Sequence, residues 1–158
     1  MQKAYKQALL AYENGEVPIG AALVRSASNG EQIIIQGFNK TLMLSDPTAH
    51  AEMLVIKEAA QQVNNHRLIN MRLYTTMEPC MMCFGAVVQA RISEIIYACD
   101  DSRVGIFSKE CYHLNKNINH NLQVTNGIMA DKCSELLRKF FKEKRKKDNM
   151  IIWQKKKL

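Results

Sequence analysis

What this sequence lacks narrows it before any motif is read. No apolar run approaches the roughly 20 residues that span a bilayer, so a membrane is not expected as a partner. The opening Met1-Gln2-Lys3-Ala4-Tyr5-Lys6 has no apolar signal region and reads directly as an amphipathic helix, which makes the cytoplasm the expected location. Cysteine comes in an odd number, five, against a closed disulfide framework and in favour of reduced thiols with a metal among their uses. There is one Cys-x-x-Cys and no His-x-x-His, so a four-ligand structural zinc site has no obvious fourth side chain.

What is present begins with an uneven charge. Residues 1–137 hold twelve Lys/Arg against thirteen Asp/Glu, while residues 138–158 hold ten against two, so the whole net charge of +7 comes from the C-terminal segment. A terminal basic block attracts a polyanion, RNA above all, although it reads equally as a solvated helix end. At 158 residues the chain is expected to be one domain, and its 47% apolar content is that of a globular protein rather than a disordered one.

Along the chain, Ala4, Leu9, Leu10 and Tyr12 belong to a first helix that Gly15 stops. Strands are predicted over 17–27 and 32–38, joined by a turn at Ser28-Asn29-Gly30. The unbroken Ile33-Ile34-Ile35 predicts burial on both faces and a sheet covered by helices. A helix over about 49–64, with Met53, Leu54, Ile56 and Ala60 inward, precedes a strand at 73–76. A short helix from Cys80 to about Gln89, with Gly85-Ala86 close on the sheet and Met81 and Met82 in pocket or core, leads to a strand at 94–99, parallel to the one before it. A weaker strand at 122–125 and a turn at Asn126-Gly127 precede a final helix from Ala130 or Asp131, with Leu136, Leu137, Phe140 and Phe141 on its apolar side. Ile151, Ile152 and Trp153 would dock on the body. The fold class is α/β, three layers α/β/α around a mixed sheet of about five strands.

The chemistry concentrates in His50-Ala51-Glu52 and Glu78-Pro79-Cys80-Met81-Met82-Cys83. Cys80 and Cys83 share a face if helical, with Pro79 suited to the first turn. A helix N-terminus lowers thiol pKa and favours the thiolate that a metal needs. Two thiolates and an imidazole suit tetrahedral zinc, and His50 with Cys80 and Cys83 leaves the fourth position to water, the catalytic arrangement. Residues two apart point to opposite sides of a helix interior, so His50 and Glu52 meet one metal only at a helix start. Asp46 and Thr48 are the candidate caps there, and Pro47 discourages helix before it. Glu52 then fits as the carboxylate that moves a water proton. Cys99, Cys111 and Cys133 have no metal-like spacing.

The two motifs resemble those of the zinc-dependent cytidine/deoxycytidylate deaminase superfamily. Within it the chain is most similar to the bacterial tRNA-specific adenosine deaminases, from Glu16-Val17-Pro18-Ile19-Gly20 through Asn39 and Thr48-Ala49-His50-Ala51-Glu52 to Phe140-Phe141. The resemblance implies hydrolytic deamination of adenosine to inosine at the wobble position of a tRNA anticodon, with Zn2+ (one per subunit) and Glu52 as proton shuttle. It implies a homodimer acting on the anticodon stem-loop, with Asn39 and Asp101 as substrate contacts. RNA contacts would fall to Phe140, Phe141, Lys142, Lys144, Arg145 and Lys146 as a group. Residues 1–147 would form the deaminase domain and 148–158 a tail. Where relatives carry small residues this chain has Gly105-Ile106-Phe107-Ser108-Lys109. Two other readings stand beside this one: a free nucleobase or nucleoside deaminase acting on guanine or cytosine with the same zinc chemistry, and a noncatalytic zinc-stabilised RNA-binding module.

Overall fold

The computed structural model describes residues 1–27, 30–108 and 119–155, with side chains described for 1–25, 35–108 and 119–150. The Ser28-Asn29 turn, Lys109, Cys111 and the side chains of Ile33, Ile34, Ile151, Ile152 and Trp153 lie outside the described residues.

Helix α1 (Gln2–Glu13) buries Ala4, Ala8 and Ala11, a stripe of small residues at helical spacing. The stripe lets the helix lie close on the sheet: a Cβ at Gly20 would come within 2.1 Å of the Ala4 carbonyl oxygen. Leu9 and Leu10 face outward. Gly15, at φ +74°, turns the chain, and the paired bonds Glu16 N–H to Ala11 O and Gly15 N–H to Tyr12 O close the helix in a Schellman turn. That turn drops Glu16 into the interior.

The sheet contains β1 (Gly20–Ala27), β2 (Gly30–Phe38), β3 (Met71–Met77), β4 (Glu94–Cys99) and β5 (Gln123–Asn126) in the order β2-β1-β3-β4-β5. The β1–β2 and β1–β3 pairs are antiparallel; β3–β4 and β4–β5 are parallel, with Leu73 opposite Ile95 and Thr75 opposite Tyr97. The predicted mixed five-stranded sheet is therefore present, with two adjustments. β1 begins at Gly20 rather than Val17, because Pro18 sits in a tight turn closed by Ile19 N–H to Val17 O. β2, an edge strand whose described side chains include buried Ile35, begins at Gly30 rather than Gln32; β1 over residues 21–24 and β4 over residues 95–99 are covered on both faces.

Helices α2 (Ala51–Gln62) and α3 (Met81–Gln89) cover one face, and α1 with α4 (Ala130–Lys155) covers the other. The inward stripe of α2 is Ala51, Glu52, Val55, Ile56 and Ala59 rather than Met53, Leu54 and Ala60, which are only half-buried. The stripe is rotated because the first turn must aim Glu52 inward. Likewise α3 packs through Cys83, Phe84 and Val87, leaving Gly85 in the open and Met81 exposed. Leu136, Leu137 and Phe140 of α4 are buried as its spacing predicts, and the helix continues unbroken past 148. Among the described residues no helix is long and apolar enough to cross a membrane.

Candidate metal centre and active site

Parallel β3 and β4 deliver their C-terminal ends to the place where α2 and α3 begin. His50 is the N-cap of α2 and Cys80 that of α3, both in extended backbone, and neither cap is closed by a side-chain hydrogen bond. The expected caps do a different job: Asp46 Oδ1 accepts from the Thr48 amide and hydroxyl, shaping the turn before His50. Pro79 correspondingly stands outside α3, just before its cap. With both caps extended, the two helix starts face each other, so ligands from separate elements converge.

His50 Nδ1 lies 3.7 Å from Cys80 Sγ and 3.5 Å from Cys83 Sγ, and the two sulfurs are 3.7 Å apart. Tetrahedral zinc, at about 2.3 Å from sulfur and about 2.0 Å from nitrogen, needs sulfur–sulfur edges of about 3.8 Å and sulfur–nitrogen edges of about 3.6 Å. The three donors thus already stand at the edge lengths of one face of a zinc tetrahedron. They form a group able to hold a metal ion, with no fourth protein ligand in it among the described residues.

The electrostatics agree with that donor set. Cys80 is pulled down to about 4, first by its hydrogen bond with Cys83 and further by His50. Cys83 is pushed up because it is the member of the pair that keeps the proton, in buried surroundings beside Glu52. His50 is raised by its contact with Cys80. A dication bound among these groups would remove the shared proton and satisfy both sulfurs as thiolates.

Glu52, in the first turn of α2, is 3% exposed, and Thr75 Oγ1 of central strand β3 donates to its Oε1 at 3.1 Å. Its Oε2 is 3.7 Å from Cys83 Sγ. Burial pushes its pKa above the usual carboxylate range. A carboxyl so placed is held by Thr75 and takes up a proton more readily than an exposed one, the behaviour required of a general base.

Two further buried carboxylates flank the centre, and the sequence alone does not reveal their work. Glu16 accepts at Oε1 from the Leu42 and Met43 amides (2.8 and 2.7 Å) and at Oε2 from Asn39 Nδ2 (2.9 Å) and Thr41 Oγ1 (3.3 Å). Glu78 accepts at Oε1 from the Phe107 and Ser108 amides (2.6 and 2.7 Å) and at Oε2 from the Asp101 amide (2.8 Å). A Cβ at Gly105 would come within 2.1 Å of Glu78 Oε2, so this loop accepts only glycine there. The signal, in hindsight, was an acidic residue at the end of an element immediately before a motif. Ile106 and Phe107 are large because they turn inward: Phe107 stacks on Tyr97 at 5.8 Å and meets Phe84 edge-on at 5.7 Å.

The sequence model of the family described as the cytidine and deoxycytidylate deaminase zinc-binding region matches residues 1–99, which include the whole metal triad and Glu52. The chain belongs to this family. It is 41% identical over 148 residues to the tRNA-specific adenosine deaminase of Bacillus subtilis, spanning 93% of this chain and 89% of that protein. A solved structure from a study of A-to-I editing by tRNA:A34 deaminases at the wobble position of transfer RNA superposes with a TM-score of 0.80 at 36% identity, over 87% of this chain and 97% of the other. The guanine deaminase of Nitrosomonas europaea shares the fold, with a TM-score of 0.69 at 22% identity over 88% and 81% of the two chains.

On this deaminase the remaining predicted residues separate by position. Asn39 is buried beside Glu16, and the Lys40 amide donates to Ala49 O, next to His50. Asp101 uses Oδ1 to accept from the amides of Arg103 and Val104, forming the turn that follows β4. A cleft of about 520 Å³ opens between that turn and α4, lined among others by Asp101, Arg103, Arg138, Phe141, Lys142 and Arg145. Arg138, Phe141, Lys142 and Arg145 are spaced to form one helix face. Phe140 points elsewhere, buried edge-on against Tyr12 at 6.2 Å, and Lys144 lines the far side with Glu143. Cys99 and Cys133 are buried between β4 and α4, away from the triad.

Proposed function

We propose that this chain deaminates adenosine to inosine at the wobble position of a tRNA anticodon, as a cytoplasmic homodimer with one zinc ion per subunit. The observation that carries the reading is the juxtaposition of Glu52 with a three-donor site that, among the described residues, includes no fourth protein ligand. A structural zinc site has no use for an anchored, buried carboxylate beside it. Zinc held by His50, Cys80 and Cys83 would lower the pKa of a water molecule and so supply a nucleophile near neutral pH. Glu52 is placed to take one proton from the attacking water as its oxygen bonds to C6 of the base, and to pass that proton to the ring nitrogen. It would then move the second water proton from the hydroxyl on C6 to the amino group, which leaves as ammonia, so adenosine and water become inosine and ammonia.

The target base has to leave its stack to reach these atoms. Asn39 and Asp101 are proposed to contact the flipped nucleoside. Phe141, Lys142 and Arg145, which share the cleft with Arg103, are proposed to hold the anticodon backbone; Lys144 and Lys146 add long-range attraction, and Phe140 seats the helix. Residues 1–147 act as the deaminase domain, and 148–158 extend its basic helix. Relatives named for tRNA deamination, similar over most of their length, support RNA rather than a free base as substrate.

The reading is tested by incubating zinc-loaded protein with an anticodon stem-loop carrying adenosine at the wobble position. Free guanine and cytosine run in parallel, and nucleosides are resolved after digestion. Inosine from the stem-loop alone is expected. Turnover of a free base alone would replace RNA by a small molecule, and silence in every tube with zinc bound would leave a binding module.

A further inference from the structure

Glu16 is a fully buried carboxylate that the deamination chemistry does not use, and the pattern of its contacts has a consequence for Asn39. Both hydrogens of the Asn39 amide are committed: Nδ2 donates to Glu16 Oε2 at 2.9 Å and to Thr41 Oγ1 at 3.2 Å. Thr41 can accept that bond because its own hydroxyl hydrogen goes to Glu16 Oε2. A carboxylate has only acceptors to offer, so it forbids the flipped amide, in which two oxygens would oppose each other. Asn39 Oδ1 is therefore left as the outward group. It has no hydrogen bond among the described contacts, and no fully buried side-chain oxygen or nitrogen of the described residues lacks a partner, so this oxygen is not completely sealed from the outside.

We infer that Glu16 is a positioning residue that fixes the Asn39 amide so that it presents an acceptor, and only an acceptor, to the bound nucleotide. The group it would select is a hydroxyl or amino hydrogen on the target nucleoside. This rests on the proposal that Asn39 touches substrate. The same carboxylate holds the Leu42 and Met43 amides through its other oxygen, so orientation of the amide and closure of the loop are set by one side chain.

The test exchanges donor and acceptor across the pair. Glu16→Gln keeps an oxygen for Leu42 and Met43 but turns an NH2 toward Asn39, whose amide then flips and shows a donor to the substrate. Adding Asn39→Asp restores an acceptor facing the substrate, because the amide introduced at position 16 donates to the carboxylate introduced at position 39, and the net charge is that of the wild type. Binding of an adenosine stem-loop is measured by fluorescence anisotropy on zinc-loaded protein in a Glu52→Ala background, against the same stem-loop with an alkyl spacer in place of the whole wobble nucleoside; KM and kcat follow in the active background. Glu16→Gln is expected to weaken the adenosine stem-loop about tenfold, leave the spacer one unchanged, and act through KM rather than kcat. The swap should recover most of that loss, and Glu16→Gln should add nothing to Asn39→Ala.

If Asn39→Ala leaves adenosine binding unchanged, the substrate contact itself fails and the inference with it. If Asn39→Ala weakens binding but Glu16→Gln does not, the contact stands and the inference alone is wrong. Should Glu16→Gln fold poorly, the swap decides: a folded swap that binds as weakly as Asn39→Ala overturns the positioning role.

Discussion

The metal centre and the basic face of α4 meet near the ends of β3 and β4, yet they are built in opposite ways. At the centre, side chains from three elements converge on one point: two helix caps, a first-turn carboxylate and a strand threonine. On α4, charged side chains stand on the side of the helix turned away from the sheet, and only Phe141 and its neighbours border a defined cleft. Bond-making chemistry needs fixed geometry, whereas phosphate contacts position a large substrate through many weak, replaceable interactions. Damage at the centre should therefore be all-or-none, and damage on the helix graded.

The largest effect follows from removing a ligand. Cys83→Ala should lose the metal and, with it, essentially all turnover, checked by zinc content and inosine formation on one preparation. Chelation of the wild-type protein should do the same, and zinc re-addition should restore it. Next comes reversal of two charges on the cleft face, Lys142→Glu with Arg145→Glu. This pair should raise KM for the stem-loop by roughly tenfold or more with kcat preserved, and flatten the dependence of binding on salt, each lost phosphate contact reducing the slope by about 0.7–0.9. Reversal of Lys144, on the far side, should do less. A kcat loss equal to the KM effect would erase the contrast between the two regions.

How much of this was legible in the sequence follows the same division. That His50, Cys80, Cys83 and Glu52 come together could be read because zinc chemistry restricts residue type and spacing so tightly that four letters suffice. The sheet could be read because helices alternate with apolar strands. Three errors share one cause, that hydrophobic period does not show where a functional residue must point: the stripe of α2 is rotated by Glu52, Gly85 faces outward, and Met81 is exposed. The work of Glu16 and Glu78 was hidden because each binds backbone amides far along the chain, and an amide leaves no mark in the amino-acid alphabet. Composition showed the basic tail as one block; only the helix in place separates Phe141, Lys142 and Arg145 on the cleft from buried Phe140.

Two smaller effects sharpen the comparison at its boundary. Gly105→Ala should push the loop off Glu78 and cost about 1–3 kcal/mol, visible as a lower Tm, because the new methyl meets a carboxylate oxygen already bound on its other sides. It should impair turnover less than loss of a ligand. The smallest concerns Cys133, whose thiol burial pushes up to about 12. In native, zinc-loaded protein it should resist alkylation at neutral pH, since the thiolate is the reactive form, and become labelled on unfolding. Rapid native labelling would contradict the packing of α4 on β4.

The decisive experiment is made on Glu52→Ala, with three readouts from one sample: bound zinc, affinity for the anticodon stem-loop, and inosine under single-turnover conditions. A proton-shuttling Glu52 predicts zinc and affinity close to wild type, with inosine formation reduced at least about a hundredfold, the usual worth of a general base. Inosine at the wild-type rate with zinc in place would show that another group moves the protons, and the role assigned here to Glu52 would be wrong.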